Sequence, residues 1–103
     1  MNQIKEITPQ QVEEKINNND DFTIIDVRED EEVSQGMVPN AKHIRLGDIP
    51  EKIESLPKDQ EYVMICRSGR RSMNAAEFMK ERGFGNVQNM EGGMLKWQGE
   101  LVF

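Results

Sequence analysis

Cysteine and histidine are the residues whose scarcity constrains this chain most. The 103 residues include one cysteine, Cys66, and one histidine, His43. A single cysteine excludes an internal disulfide, so packing alone must hold the fold, as is usual in a reducing cytoplasm. One cysteine and one histidine are also too few for a structural zinc site. We therefore predict a cytoplasmic protein without a metal.

Long apolar runs and an excess of positive charge are missing as well. No stretch approaches the roughly 20 apolar residues that span a membrane, and residues 1–11 lack the apolar core of a signal peptide. The formal net charge of -6 argues against nucleic acid as a general partner, because phosphate binding needs a basic face. Neither Gly-x-Gly-x-x-Gly nor a Walker-type motif occurs, so no nucleotide cofactor is predicted.

Strand and helix patterns alternate along a chain whose length suits one domain, residues 1–103, with one modest core. Such alternation predicts an α/β fold with a mainly parallel sheet covered by helices on both faces. The predicted strands lie at 4–7, 22–27, 44–46, 62–65 and 87–90. The predicted helices begin after Thr8 and at residues 29–32, cover 49–56 and 72–83, and close the chain from residue 91. The carboxylates at 29–32 are interpreted as solvent-exposed.

Cys66 lies where the buried strand at 62–65 gives way to the helix. The free N–H groups and the positive dipole end of a helix favour an anion there, and a thiol supplies one as thiolate. Gly69 permits a tight loop whose N–H groups turn inward, and electropositive surroundings lower the pKa of a thiol. Cys66 is a candidate nucleophile. A small buried core residue is the alternative, although the arginines that follow it cannot enter an apolar interior.

The run Cys-Arg-Ser-Gly-Arg-Arg-Ser at 66–72 resembles the active-site loop of the rhodanese-like sulfurtransferases. Two further segments agree with this resemblance. Ile25-Asp26-Val27-Arg28, followed by Glu32, Gly36, Val38-Pro39 and Ala41, is similar to the family's first signature. Glu91-Gly92-Gly93, with Met94, Leu95 and Trp97, is similar to its closing one. Met37 and Asn40 stand where the family commonly has histidine and glycine. The resemblance implies a three-layer domain with a central sheet of about five strands.

The resemblance also implies a reaction. Cys66 would take the outer sulfur of thiosulfate or of a persulfide, and a thiol or cyanide would then remove it. The loop residues that would bind the substrate and hold its charge are Arg67, Ser68, Gly69, Arg70, Arg71 and Ser72. Arg67 and Arg70 would face a small anionic donor, and Arg71 would turn inward to hold the loop. Asp26 and Arg28 would support the loop through charge pairs. The expected partners are the donor and a thiol acceptor, small molecule or protein.

Three alternatives stay open. His43 would be the obvious base for a thiolate, but its segment indicates a residue at a strand edge, and loop N–H groups can stabilise a thiolate without a base. A cysteine phosphatase or arsenate reductase needs an arginine six positions after the cysteine, where this chain has Ser72. A domain that carries persulfide sulfur without turnover would differ from an enzyme only in its acceptor.

Overall fold

Five parallel strands form the centre of the computed structural model, which describes residues 3–103. The strands are β1 (Lys5–Ile7), β2 (Thr23–Asp26), β3 (Lys42–His43), β4 (Glu61–Ile65) and β5 (Asn86–Met90). Their order across the sheet is β1-β5-β4-β2-β3, and every neighbouring pair is parallel. The carboxyl ends of all the strands therefore meet at one edge, with β4 in the middle.

Helices cover both faces of this sheet. They are α1 (Pro9–Asn17), α2 (Asp30–Val33), α3 (Ile49–Lys52) and α4 (Arg70–Glu81), and 3-10 turns occupy Leu46–Asp48, Ile53–Ser55 and Gly93–Lys96. As predicted, α1 begins after Thr8, and a capping box starts it: Thr8 and Gln11 each bond the other's backbone N–H, at 3.1 and 2.9 Å. Among residues 3–103, no helix is long and apolar enough to cross a membrane.

Two apolar clusters, one on each face, explain why the central strands β2 and β4 are almost entirely buried. Successive strand side chains point to opposite faces, so Ile25 and Met64 pack with Ala76 of α4. Their neighbours Ile24 and Val63 pack on the other face, with Val12 of α1. Strands that are apolar on both faces fit only a covered parallel sheet. The predicted α/β architecture is confirmed.

Several predicted boundaries differ from the observed ones. The strand predicted at 44–46 is wrong, since β3 is Lys42–His43. The N–H groups of Ile44 and Leu46 still donate to the carbonyls of Asp26 and Val27, both at 3.0 Å, but Leu46 already opens a 3-10 turn. The α-helix of the predicted 49–56 segment is limited to α3, and a 3-10 turn follows it.

The helix after the cysteine and the closing segment are set by glycines. Gly69 has φ +98° and precedes α4, which therefore begins at Arg70, earlier than the predicted residue 72. The predicted closing helix is wrong: Gly92 and Gly93 have φ of +76° and +59°, and only the 3-10 turn Gly93–Lys96 follows. Positive φ is compatible with glycine but not with a continuing right-handed helix.

Gly93 lies directly against the start of the cysteine loop. A Cβ placed on Gly93 would lie 2.5 Å from the carbonyl oxygens of both Cys66 and Arg67. The next two residues bind the same carbonyls, because Met94 N donates to Cys66 O at 2.9 Å and Leu95 N donates to Arg67 O at 3.0 Å. The closing 3-10 turn thus fixes the backbone at the base of the loop.

We expect Gly93→Ala to destabilise the protein strongly. Left-handed φ alone costs a residue with a Cβ roughly 1–2 kcal/mol, and displacement of two backbone carbonyls adds to this cost. Gly47→Ala is the matched control, because Gly47 has no neighbour within 4 Å of the added Cβ. Urea unfolding measures both variants. Equal midpoints for the two would show that Gly93 has no such structural role.

Candidate active site

Cys66 lies one residue beyond β4, at the carboxyl edge of the sheet. Ile65, the last residue of β4, is the register partner of Asp26, the last residue of β2. Ligand sites of open parallel sheets lie at this edge. The structure thus brings Cys66, Asp26 and the loop 67–72 to this one edge of the sheet.

The sulfur of Cys66 accepts hydrogen bonds from its own loop. Gly69 N–H lies 3.0 Å from Sγ, and the hydroxyl of Ser72 lies 3.3 Å from it. Burial alone would raise the pKa of the thiol, but bonds from the Ser72 hydroxyl and from the N–H groups of Ser72, Gly69 and Ser68 outweigh it, so the pKa is lowered. The loop therefore favours the thiolate, which is the nucleophilic form.

Access to this sulfur is narrow. Cys66 is only 1% exposed, whereas Arg67, Ser68 and Arg70 in the loop above it are exposed. The cysteine is also in contact with the apolar cluster on the α4 face. The cysteine is therefore covered, as the alternative of a buried core residue predicts, while charged and polar loop residues lie exposed next to it.

Arg71 turns away from the sulfur and holds α2. Its two terminal nitrogens lie 2.8 Å from the two carboxylate oxygens of Glu32, a bidentate pair. Hydrogen bonding to Arg71 is the main reason that the pKa of Glu32 is lowered to about 2. The interpretation of 29–32 as solvent-exposed is therefore wrong for Glu32, which is half-buried. A helix carboxylate gives no sequence signal of a partner 39 residues away.

Asp26 and Arg28 form a buried ion pair that is hydrogen-bonded to the backbone of Glu32 and Gly36. Asp26 is 0% and Arg28 6% exposed, and Arg28 Nη2 lies 2.8 Å from Asp26 Oδ2. The guanidinium also donates to the carbonyls of Gly36 at 2.8 Å and Glu32 at 3.3 Å. The pair reaches the cysteine loop indirectly, because it fixes the α2 turn, which presents Glu32 to Arg71.

Arg67 and Arg70 remain exposed on the loop, and neither makes an ion pair or a side-chain hydrogen bond with any residue in 3–103. Arg67 borders a shallow depression of about 180 Å³ together with Arg28, Glu32, Gln35, Met94 and Leu95. Cys66 does not line this depression. Two unpaired guanidinium groups beside a covered sulfur can attract a small anion to the loop.

His43 does not contact Cys66. Its Nε2 lies 2.7 Å from the carbonyl oxygen of Arg28, and its Nδ1 lies 3.9 Å from Asp30 Oδ1. The described part of the chain contains no group of three or more His, Cys, Asp or Glu side chains arranged to hold a metal. Within 3–103, hydrogen bonds from the loop stabilise a thiolate at Cys66, and the nearby charge of Arg71 adds to them.

Asn89 and Gly93 contact the cysteine loop, although neither is among the site residues predicted from the sequence. Asn89 is 1% exposed on β5 and bonds both Ser72 and the carbonyl of Gly69. Asn89 follows the buried Val87 by two positions, so strand alternation places it on the same buried face, and a polar residue there is the signal that could have found it. The sequence indicates Gly93 only as part of the family's closing signature.

Comparisons with known proteins agree with this geometry. The family model described as "Rhodanese-like domain" matches residues 8–100. "Putative sulfurtransferase YtwF" of Bacillus subtilis is 58% identical over 95% of this chain and 94% of its own length. "Putative sulfur carrier protein YrkF" of the same organism is 38% identical over 94% of this chain, which spans 52% of that protein.

A solved structure shows the same fold. The "Rhodanese-like Domain Protein from Staphylococcus aureus" superposes with a TM-score of 0.89, at 36% identity, over 97% of this chain and 98% of that one. Fold, loop sequence and family model coincide over nearly the whole chain. The chain therefore belongs to the rhodanese-like domain family.

We expect Glu32→Gln to destabilise the protein by about 1 kcal/mol near neutral pH, because an amide replaces a bidentate, partly exposed carboxylate. The pKa of Glu32 falls from 4.5 to about 2 on folding, so its contribution is complete above 4.5 and is lost as the pH falls through about 2. The variant should accordingly show a flatter stability profile between these values. Urea unfolding as a function of pH measures this.

Glu31→Gln is the matched control, because Glu31 lies in the same helix with an exposed side chain that makes no ion pair among residues 3–103. Its profile should parallel that of the wild type. If Glu31→Gln and Glu32→Gln lose the same stability at every pH, the bridge to Arg71 contributes nothing.

Proposed function

We propose that this protein is a sulfurtransferase that moves sulfane sulfur through a persulfide on Cys66. In the first step, the Cys66 thiolate attacks the outer sulfur of thiosulfate or of a persulfide. The sulfur–sulfur bond of the donor breaks, sulfite or a thiolate leaves with the bonding electrons, and Cys66 carries the outer sulfur with one negative charge. The observation that carries the proposal is the convergence of loop hydrogen-bond donors on Sγ.

The second step returns the enzyme to its starting state. A thiol, as thiolate, or cyanide attacks the outer sulfur, forms a bond to it and releases the Cys66 thiolate. Each step is a displacement at sulfur by an electron pair. Negative charge is present near the loop throughout, and preorganised N–H donors stabilise it without reorganisation at the moment of reaction.

Narrow access supports a sulfane donor over a bulky electrophile. The loop covers the cysteine and leaves 1% of it exposed, and a terminal sulfur atom is the smallest group that can pass it. Arg67 and Arg70, which are exposed on the loop, suit the anionic end of such a donor. We infer a small anionic sulfur donor, with a thiol of a small molecule or a protein as acceptor.

Phosphatase or arsenate reductase chemistry fits these residues less well. Those enzymes need an arginine at the position of Ser72, and here Ser72 is 0% exposed and lies beneath the sulfur. Arg71 cannot substitute for it while both its terminal nitrogens bind Glu32. A carrier without turnover is the second candidate, and the name of one relative, a sulfur carrier protein, favours it. Carrier and enzyme share the Cys66 persulfide.

Incubation with thiosulfate should add the mass of one sulfur atom to the protein, as measured by intact mass spectrometry. Dithiothreitol should remove it, and Cys66→Ser should gain nothing. A wild type left unmodified by thiosulfate, polysulfide and glutathione persulfide would instead make Cys66 a core residue. Phosphate release from an aryl phosphate by the same sample would favour the phosphatase.

Arg67→Gln/Arg70→Gln should lower kcat/KM for thiosulfate roughly fivefold to tenfold, mainly through KM, because attraction of the dianion is lost. The loss should shrink as salt is added. Arg82→Gln is the control, since Arg82 is exposed at the opposite end of α4. Equal kinetics for the double variant and the control would exclude a role for these arginines in donor binding.

A further inference from the structure

A buried hydrogen-bond chain leads from Cys66 into the middle of the sheet. The Ser72 oxygen lies 3.3 Å from Cys66 Sγ and 2.5 Å from Asn89 Oδ1. Ser72 is 0% and Asn89 1% exposed, so water does not compete freely for these groups. Within residues 3–103, no buried side-chain nitrogen or oxygen lacks a hydrogen-bond partner. Every member of this hydrogen-bond chain thus has a partner, so a change at one residue alters the hydrogen bonds of the next.

The orientation of the Asn89 amide is fixed by its other neighbours. Its nitrogen donates to the carbonyl of Gly69 at 3.0 Å and to the carboxylate of Glu6 at 3.2 Å. Both are pure acceptors, so a flipped amide would place oxygen against oxygen twice. Oδ1 must therefore face Ser72, and it needs the hydroxyl proton of Ser72.

Ser72 has only one proton to donate, and two acceptors adjoin its oxygen. When Cys66 is a neutral thiol, the S–H group donates to the Ser72 oxygen, and the Ser72 proton goes to Asn89. When Cys66 is a thiolate, it has no proton to donate, and it attracts the Ser72 proton to itself. Asn89 Oδ1 then loses its donor in a buried position, which is costly.

We propose that Asn89 is a positioning residue that competes with the Cys66 sulfur for the single hydroxyl proton of Ser72. Asn89 thereby limits how much of Cys66 is thiolate at a given pH. It favours the states in which Sγ carries no charge. On the proposed sulfur transfer, from which this step follows, the persulfide is such a state, because its charge lies on the outer sulfur.

The charged groups around this chain are unchanged by substitution at Asn89. Glu6 of β1 lies on the far side of the amide, and Arg71 of α4 is bound to Glu32. Arg67 and Arg70 are exposed in the loop, and Asp26 is bound to Arg28. A change in Cys66 ionisation in an uncharged Asn89 variant therefore has one of two causes. Either the Ser72 proton has become available to the sulfur, or the loop backbone around Gly69 has moved. The two causes change the thiolate-to-thiol ratio of Cys66 in opposite directions.

Asn89→Leu separates them, because leucine has a similar volume and no acceptor. Competition predicts that the thiolate-to-thiol ratio at a fixed pH rises roughly fivefold, the effect of one ordinary hydrogen bond. A role only in holding the Gly69 carbonyl predicts that the ratio falls, because the Gly69 N–H would move from the sulfur. Thiolate absorbance against pH measures the ratio, with the Cys66→Ser protein as the blank because the Tyr62 phenol also titrates.

A double-mutant cycle with Ser72→Ala tests whether the effect of Asn89 depends on the Ser72 hydroxyl proton. Ser72→Ala alone should lower the thiolate-to-thiol ratio, and Asn89→Leu should no longer raise the ratio when combined with it. Asn86→Leu is the matched control, since Asn86 is exposed on the same strand and makes no side-chain hydrogen bond within 3–103. It should leave the ratio unchanged. Asn89→Ala replaces Asn89→Leu if the leucine variant does not fold.

A ratio that falls or stays constant in the Asn89 variant, or an increase that persists with Ser72→Ala, overturns the proposal. The titration needs no sulfur donor, so it is independent of whether the wild type takes up sulfur. A second readout uses the loaded protein: with thiosulfate and sulfite at equilibrium, the Asn89 variant should hold roughly fivefold less persulfide relative to thiolate than the wild type. If the loading equilibrium is unchanged, the Ser72 hydroxyl proton is not bound to Asn89 in the persulfide state, contrary to the proposal.

Discussion

The site depends on hydrogen-bond donors that converge on one sulfur atom at the end of β4. Burial opposes ionisation of Cys66, and only groups fixed around Sγ can reverse that effect. The fixed groups belong to a short loop whose geometry relies on Gly69 at φ +98°. Any distortion of that loop removes donors while the burial remains. Most contacts described above can be understood as supports for this loop.

The supports come from three directions and differ in kind. Arg71 attaches the loop and α4 to α2 through Glu32, and the buried Asp26–Arg28 pair holds α2 in turn. Backbone hydrogen bonds from Met94 and Leu95 fix the carbonyls at the start of the loop. Asn89 holds the carbonyl of Gly69 through its nitrogen, while its oxygen competes with the sulfur for the Ser72 proton. A thiolate supported in this way requires no histidine.

The sequence predicted the sheet, the helices on both faces and the position of Cys66, because apolar period, caps and loop glycines are local signals. It misplaced β3, since Ile44 and Leu46 look like a strand while Leu46 begins a turn. It missed the roles of Glu32 and Asn89 because both depend on partners distant in the chain. It also could not show how thoroughly the loop covers Cys66, which depends on packing.

The contacts of the closing 3-10 turn also have a consequence for the order of events on the ribosome. Residues 66–72 emerge before 93–96, and until the later segment docks, the carbonyls of Cys66 and Arg67 bind only water or transient partners. The sheet is similarly incomplete, because β1 pairs only with β5. The loop that favours the thiolate is therefore complete only after the closing segment has docked, and a chain that has not yet made these contacts holds Cys66 without its fixed hydrogen-bond donors.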